Sequence, residues 1–202
     1  PVRLIESGPA GGANFAAHLA IKNDLNAVLS YDMGGTTANI CLIQDKIPQT
    51  AKSFEVARSQ RFTKGSGMPI SIPVIEMIEI GAGGGSIASV DVLGQIRVGP
   101  QSAGSNPGPA CYNIGGNDPT VTDADLKLGR LSSKSLETTE IELSYEKAEV
   151  ALQQGIGNHL GFDSHDAAVG VVEIVDEISQ IFWATKGVDY KDNVSDVRFG
   201  AI

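Results

Sequence analysis

The chain has 202 residues, of which 42% are hydrophobic and 19% charged, and this balance is typical of a globular protein that can bury a core. Its formal net charge of −9 provides no basic surface, which argues against nucleic acid or an anionic membrane as the main partner. The sequence shows no signal peptide and no apolar run of about 20 residues, so we expect a cytoplasmic protein without a membrane span.

Glycine and cysteine give the first local information. The glycines indicate tight turns rather than low complexity, because they cluster at 8–12, 34–35, 81–85, 104–108 and 115–116. Cys41 and Cys111 lack metal-type spacing, and we favour two free thiols in a reducing compartment over a single disulfide. The chain starts without Met and ends on a strand-like segment, so we expect it to be part of a longer protein.

The first part of the chain predicts short strands around one helix. The predicted elements are a strand at 2–6, a turn at 7–12, a helix at 13–21, strands at 26–31 and 39–43, and a strand at 54–57. The sequence Lys46-Ile47-Pro48 is expected to end the strand at 39–43.

The middle of the chain predicts loops and a hairpin. A loop rich in turn residues at 63–69 precedes an apolar run at 72–80, which ends at a second glycine-rich turn. A hairpin follows, with its turn at 92–94. Residues 99–120 are rich in Gly and Pro and predict a long irregular loop, of a kind that is usually functional or disordered.

The last part of the chain predicts helices. Ser144 is suited to cap a helix that extends to about 160, and Asp163 or Ser164 is suited to cap a second one. Strands followed by helices predict an α/β domain with at least one helix layer on a mixed sheet. Apolar side chains at helical spacing support the second helix: Ala168, Val171, Val172, Val175, Ile178 and Phe182.

The segment DMGGTT at 32–37 lies between two predicted strands and has two interpretations. It is either a plain hairpin turn, or a phosphate site with glycine amides, two threonine hydroxyls and the Asp32 carboxylate for a metal. A P-loop or a dinucleotide-binding turn would open a helix, whereas this turn is followed by a strand. We favour a strand-turn-strand anion site and keep the plain hairpin as the alternative.

Other glycine-rich and acidic segments are less specific. The segment at 7–12 precedes a helix and is interpreted as a turn rather than an anion site. The turn Gly81–Ser86 permits close approach of the backbone to either a ligand or another element, and both interpretations stay open. Glu76 and Glu79, three apart on a predicted strand, would point to opposite faces and do not form an acid/base pair.

Several reactive side chains have structural interpretations. For Asp123 and Asp125, helix capping by Thr122 or Asp123 is favoured over cation binding. Cys111 has no His close in sequence, which argues against a nucleophile. The three histidines show no ligand spacing and are expected to face solvent: His18, His159 and His165.

Five blocks follow one another in the sequence: ESGPAGG at 6–12, DMGGTT at 32–37, IPVIEMIEIGAGGGSIASVD at 72–91, VGPQSAGSNPGPACY at 98–112 and PTVTDADLKLGRL at 119–131. Together these blocks resemble the hydantoinase A / 5-oxoprolinase family. The segment KGSGMPISIPVIEMIEIG at 64–81 resembles the branch of N-methylhydantoinase, caprolactamase and the acetone and acetophenone carboxylase subunits. The resemblance is strong over 1–131 and looser over the helical part at 140–190, so residues 1–202 would form a partial hydantoinase A domain without the N-terminal ATPase half.

This resemblance implies an actin-like ATPase fold of the ribonuclease H-like type, with a mixed sheet and flanking helices, that binds ATP and Mg²⁺. Asp32 would act in catalysis and bind the metal. Asn39 stands where the family often carries Asp, which would weaken metal or water handling without abolishing nucleotide binding. The implied nucleotide-binding residues are Gly34, Gly35, Thr36 and Thr37 at the phosphates, with Gly83, Gly84 and Gly85 in the nucleotide or substrate cleft.

The implied activity is that of an ATP-dependent hydrolase subunit acting on a cyclic amide or imide of the hydantoin, oxoproline or lactam type. Phosphorylation of the carbonyl oxygen would prepare the ring for opening, in a hetero-oligomer with a hydantoinase B-type partner subunit. Two alternatives stay open: an ATP-dependent carboxylase subunit acting on a ketone, and an actin-like nucleotide-binding module without substrate chemistry.

Overall fold

The computed structural model describes residues 7–56, 65–133, 142–185 and 195–200. Within these ranges, one helix is followed by ten strands in the first half, and helices dominate the second half. The helices are α1 Ser7–Lys22, α2 Val121–Lys127, α3 Tyr145–Leu152, α4 Asn158–Leu160 and α5 Ser164–Thr185. The strands are β1 Ala27–Met33, β2 Ala38–Gln44, β3 Ile47–Pro48, β4 Thr50–Ala51, β5 Phe54–Val56, β6 Met68–Ile70, β7 Val74–Ile75, β8 Ile78–Ile80, β9 Ser86–Val90, β10 Ile96–Ser102 and β11 Ser195–Gly200.

The chain divides into two compact units. The first comprises Pro1–Asp32, Asn39–Ile78 and Lys191–Phe199, and the second comprises Met33–Ala38, Glu79–Tyr190 and Gly200–Ile202. The predicted α/β class with flanking helices is confirmed. Within the ranges that the structure describes, no helix is both long and apolar enough to cross a membrane.

The first unit packs α1 on a sheet whose strands follow the order β11-β1-β2-β3. Alanines at helical spacing let α1 approach the sheet closely, where the core includes Val28, Cys41 and Ile43. The four buried alanines of α1 are Ala13, Ala16, Ala17 and Ala20.

The helix α1 begins at Ser7, so the predicted turn at 7–12 is wrong. Proline is tolerated in the first turn of a helix, because the N–H that it lacks would have no partner there, and Pro9 occupies that turn. Helix propensity alone disfavours the glycines at 8, 11 and 12, but packing of the alanine face overrides it.

The strands around β2 also differ from the prediction. Lys46-Ile47-Pro48 does not simply end the strand, because Asp45 and Lys46 form a tight turn with positive φ and β3 pairs back on β2. The predicted loop at 63–69 contributes to β6, which pairs with β5, and the apolar run at 72–80 is split into β7 and β8. The predicted strand at 2–6 and Ala57 lie outside the described residues.

The second unit packs the β9–β10 hairpin and α2, α3 and α5 around one apolar core. The predicted hairpin is confirmed, with Ile96 opposite Val90, and β10 extends to Ser102 into the predicted irregular loop. The predicted stripe of α5 is buried at Ala168, Val171, Val172 and Val175. The side chain of Phe182 lies outside the part that the structure describes.

Two of the three helix caps in this unit agree with the prediction. Ser144 accepts from the Lys147 N–H, and Asp163 accepts from the N–H groups of His165 and Asp166, as predicted. For α2, however, the N-cap is Thr120 rather than Thr122 or Asp123. The signal was present in the sequence, because Thr120 and Asp123 have the spacing of a capping box.

Two glycines provide a matched test of the helices. Gly11 lies in α1 with no atom within 4 Å of a built Cβ, whereas Gly161 follows α4 with φ of +74°. Gly11→Ala is expected to stabilise the protein by about 0.5–1 kcal/mol, and Gly161→Ala to destabilise it by about 1 kcal/mol. Denaturant unfolding of both variants measures this, and the opposite order of stabilities would contradict the local geometry.

The Asp125 carboxyl makes stability depend on pH. Burial raises its pKa from 3.8 to about 6, Arg130 Nη1 at 3.9 Å opposes this shift, and the Asp176 carboxylate adds to it. The folded protein therefore holds this proton more tightly than the unfolded chain, and stability decreases as the pH rises from about 4 to 6. Charged Asp125 then costs stability at neutral pH.

Asp125→Asn is therefore expected to raise the free energy of unfolding at pH 7 by about 1–3 kcal/mol and to flatten its decrease between pH 4 and 7. Urea unfolding at several pH values measures both effects. The matched control is Asp118→Asn, at an exposed position of the same unit. A destabilised Asp125→Asn variant at pH 7 would show that the Arg130 contact outweighs burial.

Candidate functional site

The turn between β1 and β2 presents unused hydrogen-bond donors to solvent. The Gly34 N–H donates to the Thr37 carbonyl at 2.8 Å and closes the hairpin. Gly35 and Thr36 are exposed and Thr37 is half-buried. Within the part of the chain that the structure describes, the N–H groups of Gly35, Thr36 and Thr37 and the two threonine hydroxyls donate no hydrogen bond. Three adjacent amides with two hydroxyls can accommodate the oxygens of an anion.

Backbone conformation does not explain the glycine at position 35. Its φ is not positive, and no atom lies within 4 Å of a Cβ built on it. What glycine does provide there is an open approach to the neighbouring N–H groups, because no side chain covers them. This observation favours the anion interpretation over the plain hairpin.

The second glycine segment, Gly83–Gly85, packs directly on this turn. A Cβ on Gly83 would lie 2.7 Å from the Gly34 carbonyl oxygen and from the Thr36 amide nitrogen, and one on Gly85 would lie 2.9 Å from the Gly35 carbonyl oxygen. The alternative left open for these glycines is thus resolved in part, since they approach another element closely. Their predicted contact with a nucleotide stays a prediction.

The amides of this segment are already used. The Gly84 N–H donates to the Gly34 carbonyl at 2.9 Å, and the Gly85 N–H donates to the Gly35 carbonyl at 2.6 Å. The Gly83 N–H donates to the Ser86 hydroxyl at 2.9 Å. The two segments therefore differ. The turn at 34–37 has free donors, whereas the N–H groups of Gly83–Gly85 are used in hydrogen bonds within the protein, two of them to the turn.

Two polar residues flank the turn in the sequence. Asp32 is the penultimate residue of β1 and Asn39 the second residue of β2, and both are half-buried. Among the described residues, no group of three or more His, Cys, Asp or Glu could hold a metal ion. A Mg²⁺ ion that is bound through substrate phosphates needs only one or two protein carboxylates, so Asp32 fits that type of site.

The surroundings of Cys111 disfavour a nucleophilic thiolate. The Cys111 side chain is fully buried, and burial together with the neighbouring Asp123 carboxylate raises the pKa of its thiol well above the usual range. Cys41 is buried as well, and both thiols are free, as predicted. The three histidines are exposed, also as predicted.

Asp123 is a buried carboxylate with more hydrogen-bond partners than the predicted capping role requires. Its oxygens accept from the Cys111 N–H at 2.7 Å, from the Ala110 N–H at 3.3 Å, and from the amide and hydroxyl of Thr120 at 2.9 and 2.8 Å. Four donors satisfy the charge without a cation. The carboxylate thereby joins the start of α2 to the turn at Ala110–Tyr112.

A comparison with known protein families decides the relationship of the chain. The model of the hydantoinase/oxoprolinase family matches residues 1–193. The chain belongs to this family. The predicted resemblance is therefore confirmed over nearly the whole sequence.

Individual members show how much of a hydantoinase/oxoprolinase protein the chain represents. An uncharacterized Methanocaldococcus jannaschii protein is 40% identical over 209 residues, covering all of this chain and 30% of that protein. The caprolactamase subunit alpha of Pseudomonas jessenii is 38% identical over 86% of the chain and 24% of the subunit. The acetophenone carboxylase gamma subunit of Aromatoleum aromaticum is 35% identical over 87% of the chain and 23% of the subunit.

A solved structure supports the fold. The crystal structure of the ATP-dependent caprolactamase from Pseudomonas jessenii matches with a TM-score of 0.77 and 32% identity, over 98% of this chain and 28% of that one. The chain thus spans between 23% and 30% of the length of these proteins.

Proposed function

We propose that this chain supplies the phosphate-binding turn of an ATP-dependent hydrolase subunit that opens a cyclic amide or imide. The substrate would be of the hydantoin, oxoproline or lactam type. The observation that carries the proposal is the exposed turn at 34–37, whose free amides and hydroxyls adjoin one another. The relationship to an ATP-dependent caprolactamase supports ATP as the anion.

In the proposed reaction the substrate carbonyl oxygen attacks the γ-phosphorus of ATP. The bond from that phosphorus to the bridging oxygen breaks, and ADP leaves with the electron pair. The ring nitrogen loses its proton, which gives an O-phosphorylated imidate. One water adds to its carbon and the ring C–N bond breaks, with the electron pair and a proton going to nitrogen, which leaves an acyl phosphate. A second water attacks the acyl carbon, phosphate leaves, and a carboxylate is formed. Positioning and charge stabilisation supply most of the catalysis in such phosphoryl transfers.

Each residue of the turn has a role in this proposal. The amides of Gly35, Thr36 and Thr37 and the two hydroxyls would bind phosphate oxygens, where charge develops during transfer. Asp32 would hold Mg²⁺ and would position the attacking group. When bound, Mg²⁺ would neutralise phosphate charge. Glycine at 34 and 35 keeps the amides accessible to the phosphates.

The partner and the compartment belong to the same proposal. The named relatives are subunits, so we expect this protein to act in a hetero-oligomer with a hydantoinase B-type subunit that directs water to the activated carbon. Two free, buried thiols fit a reducing cytoplasm.

A ketone carboxylase subunit is the second candidate. The chain is nearly as similar to the acetophenone carboxylase gamma subunit as to caprolactamase, at 35% against 38% identity. In that case the γ-phosphoryl group would pass to an enolate oxygen. Bicarbonate would then take the phosphoryl group and decompose to CO2 and phosphate, and the regenerated enolate carbon would bond to the CO2. Bicarbonate- and ketone-dependent ATP turnover would support this candidate, whereas turnover stimulated by a hydantoin or lactam supports the hydrolase.

Two substitutions test the phosphate turn in the full-length protein. Thr36→Ala removes one donor and is expected to lower ATP turnover about 10- to 100-fold, since a hydrogen bond to a charged group contributes about 1.5–3 kcal/mol. Asp32→Ala is expected to lower turnover at least as much and to raise the Mg²⁺ concentration needed for half-maximal rate. ATP binding by calorimetry and steady-state ATP hydrolysis measure both.

The matched control is Thr50→Ala, which removes an exposed threonine of β4 outside the turn. This variant is expected to bind and hydrolyse ATP like the wild type. Unchanged ATP affinity and hydrolysis in both Thr36→Ala and Asp32→Ala would contradict the proposal. ATP hydrolysis that no hydantoin, lactam or ketone changes would instead favour an actin-like module without substrate chemistry.

A further inference from the structure

The segment Gly83–Gly85 contacts the turn at 34–37, here called the phosphate turn. The same segment is also hydrogen-bonded to two other elements. The Gly84 carbonyl accepts from the Thr122 N–H at 2.8 Å, in the first turn of α2. The Gly85 carbonyl accepts from the Ala103 N–H at 2.8 Å, just after β10. Gly84 and Gly85 therefore donate to the phosphate turn on one side and accept from α2 and the β10 loop on the other. All of these residues belong to the second unit.

The start of α2 is fixed by the buried Asp123 carboxylate. Asp123 completes the capping box with Thr120, and its remaining hydrogen bonds join it to the amides of Ala110 and Cys111. Thr122 lies between these two capping residues and is itself buried. A shift of the Asp123 side chain would therefore move the Thr122 N–H that holds Gly84.

We propose that the N-terminus of α2 positions the phosphate turn, with Thr122 and Asp123 as positioning residues that act through Gly84. This inference rests on the proposed function, since it assumes that the turn at 34–37 binds the phosphates of ATP. It assigns the segment Gly83–Gly85 a supporting role rather than direct contact with the nucleotide. Displacement of a ligand-binding group by about 1 Å can lower a rate 100-fold, so a distant support of this kind affects activity.

The contact between Gly84 and Thr122 gives a specific test. A Cβ on Gly84 would lie 2.7 Å from the Thr122 Oγ1, whereas its distance from the Gly34 carbonyl oxygen would be 3.9 Å. Gly84→Ala therefore pushes mainly against the Thr122 hydroxyl. Removing that hydroxyl with Thr122→Ala provides the missing space and retains the Thr122 N–H.

The experiment is a double-mutant cycle of Gly84→Ala and Thr122→Ala in the full-length protein, with ATP affinity and kcat as readouts. We expect Gly84→Ala to weaken ATP binding about tenfold alone, and by no more than about twofold in the Thr122→Ala background. Such a rescue is specific to a support role. If Gly84 contacted the nucleotide directly, the added methyl group would weaken binding equally in both backgrounds, and the inference would be wrong.

A second pair of variants separates positioning from general destabilisation. Asp123→Asn places an amide N–H₂ among the donors around the carboxylate and is expected to weaken ATP binding about tenfold. Leu126→Ala removes a buried side chain of the same helix that packs against Cys111, Leu143 and Ala148 rather than on the glycine segment. We expect Leu126→Ala to lower the melting temperature but not the ATP affinity of the folded protein.

The outcomes distinguish this inference from the proposed function. If Thr36→Ala weakens ATP binding while Gly84→Ala and Asp123→Asn do not, the phosphate turn stands and the positioning role is wrong. If Asp123→Asn and Leu126→Ala weaken binding equally at equal loss of stability, the effect is structural and the positioning role is again wrong. If the wild type does not bind ATP, the proposed function fails and the inference fails with it.

Discussion

Two backbone hydrogen bonds, from Gly84 to the Gly34 carbonyl and from Gly85 to the Gly35 carbonyl, determine the arrangement of the candidate site. They require the two backbones to approach so closely that a Cβ at Gly83 or Gly85 would meet the turn at less than 3 Å. These bonds use the carbonyl oxygens of Gly34 and Gly35, and among the described residues the N–H groups of Gly35, Thr36 and Thr37 donate no hydrogen bond. The amides of Gly84 and Gly85 are thus used within the protein, whereas the amides of the turn can donate to a ligand.

The same contact explains what the sequence could and could not predict. The turn at 32–37 was predictable, since its strands and its glycines are adjacent in the chain and the pattern is local. The partner of Gly83–Gly85 was not predictable. Glycine permits close approach to a ligand and to another backbone equally well, so the residue type does not distinguish them. Only the three-dimensional pairing of residues 34–35 with 84–85 shows the contact with another backbone.

Helix boundaries show a second limit of sequence patterns. The caps Ser144 and Asp163 were predicted correctly because a single side chain accepts from amides two or three residues ahead. The start of α1 at Ser7 was missed, because glycine and proline lower local helix propensity, while burial of Ala13 and Ala16 acts through the sheet. Asp123 was recognised as a capping residue, but its bonds to Ala110 and Cys111 depend on a loop that comes earlier in the chain.

In the proposed site, the turn at 34–37 binds phosphate while Gly83–Gly85 support it. A crystal structure of the full-length protein with Mg²⁺ and a non-hydrolysable ATP analogue tests this claim directly. We expect phosphate oxygens within hydrogen-bond distance of the Gly35, Thr36 and Thr37 amides, with the Gly84 and Gly85 amides still bonded to the turn. Phosphates bound to the amides of Gly83–Gly85, or bound away from both segments, would contradict the account.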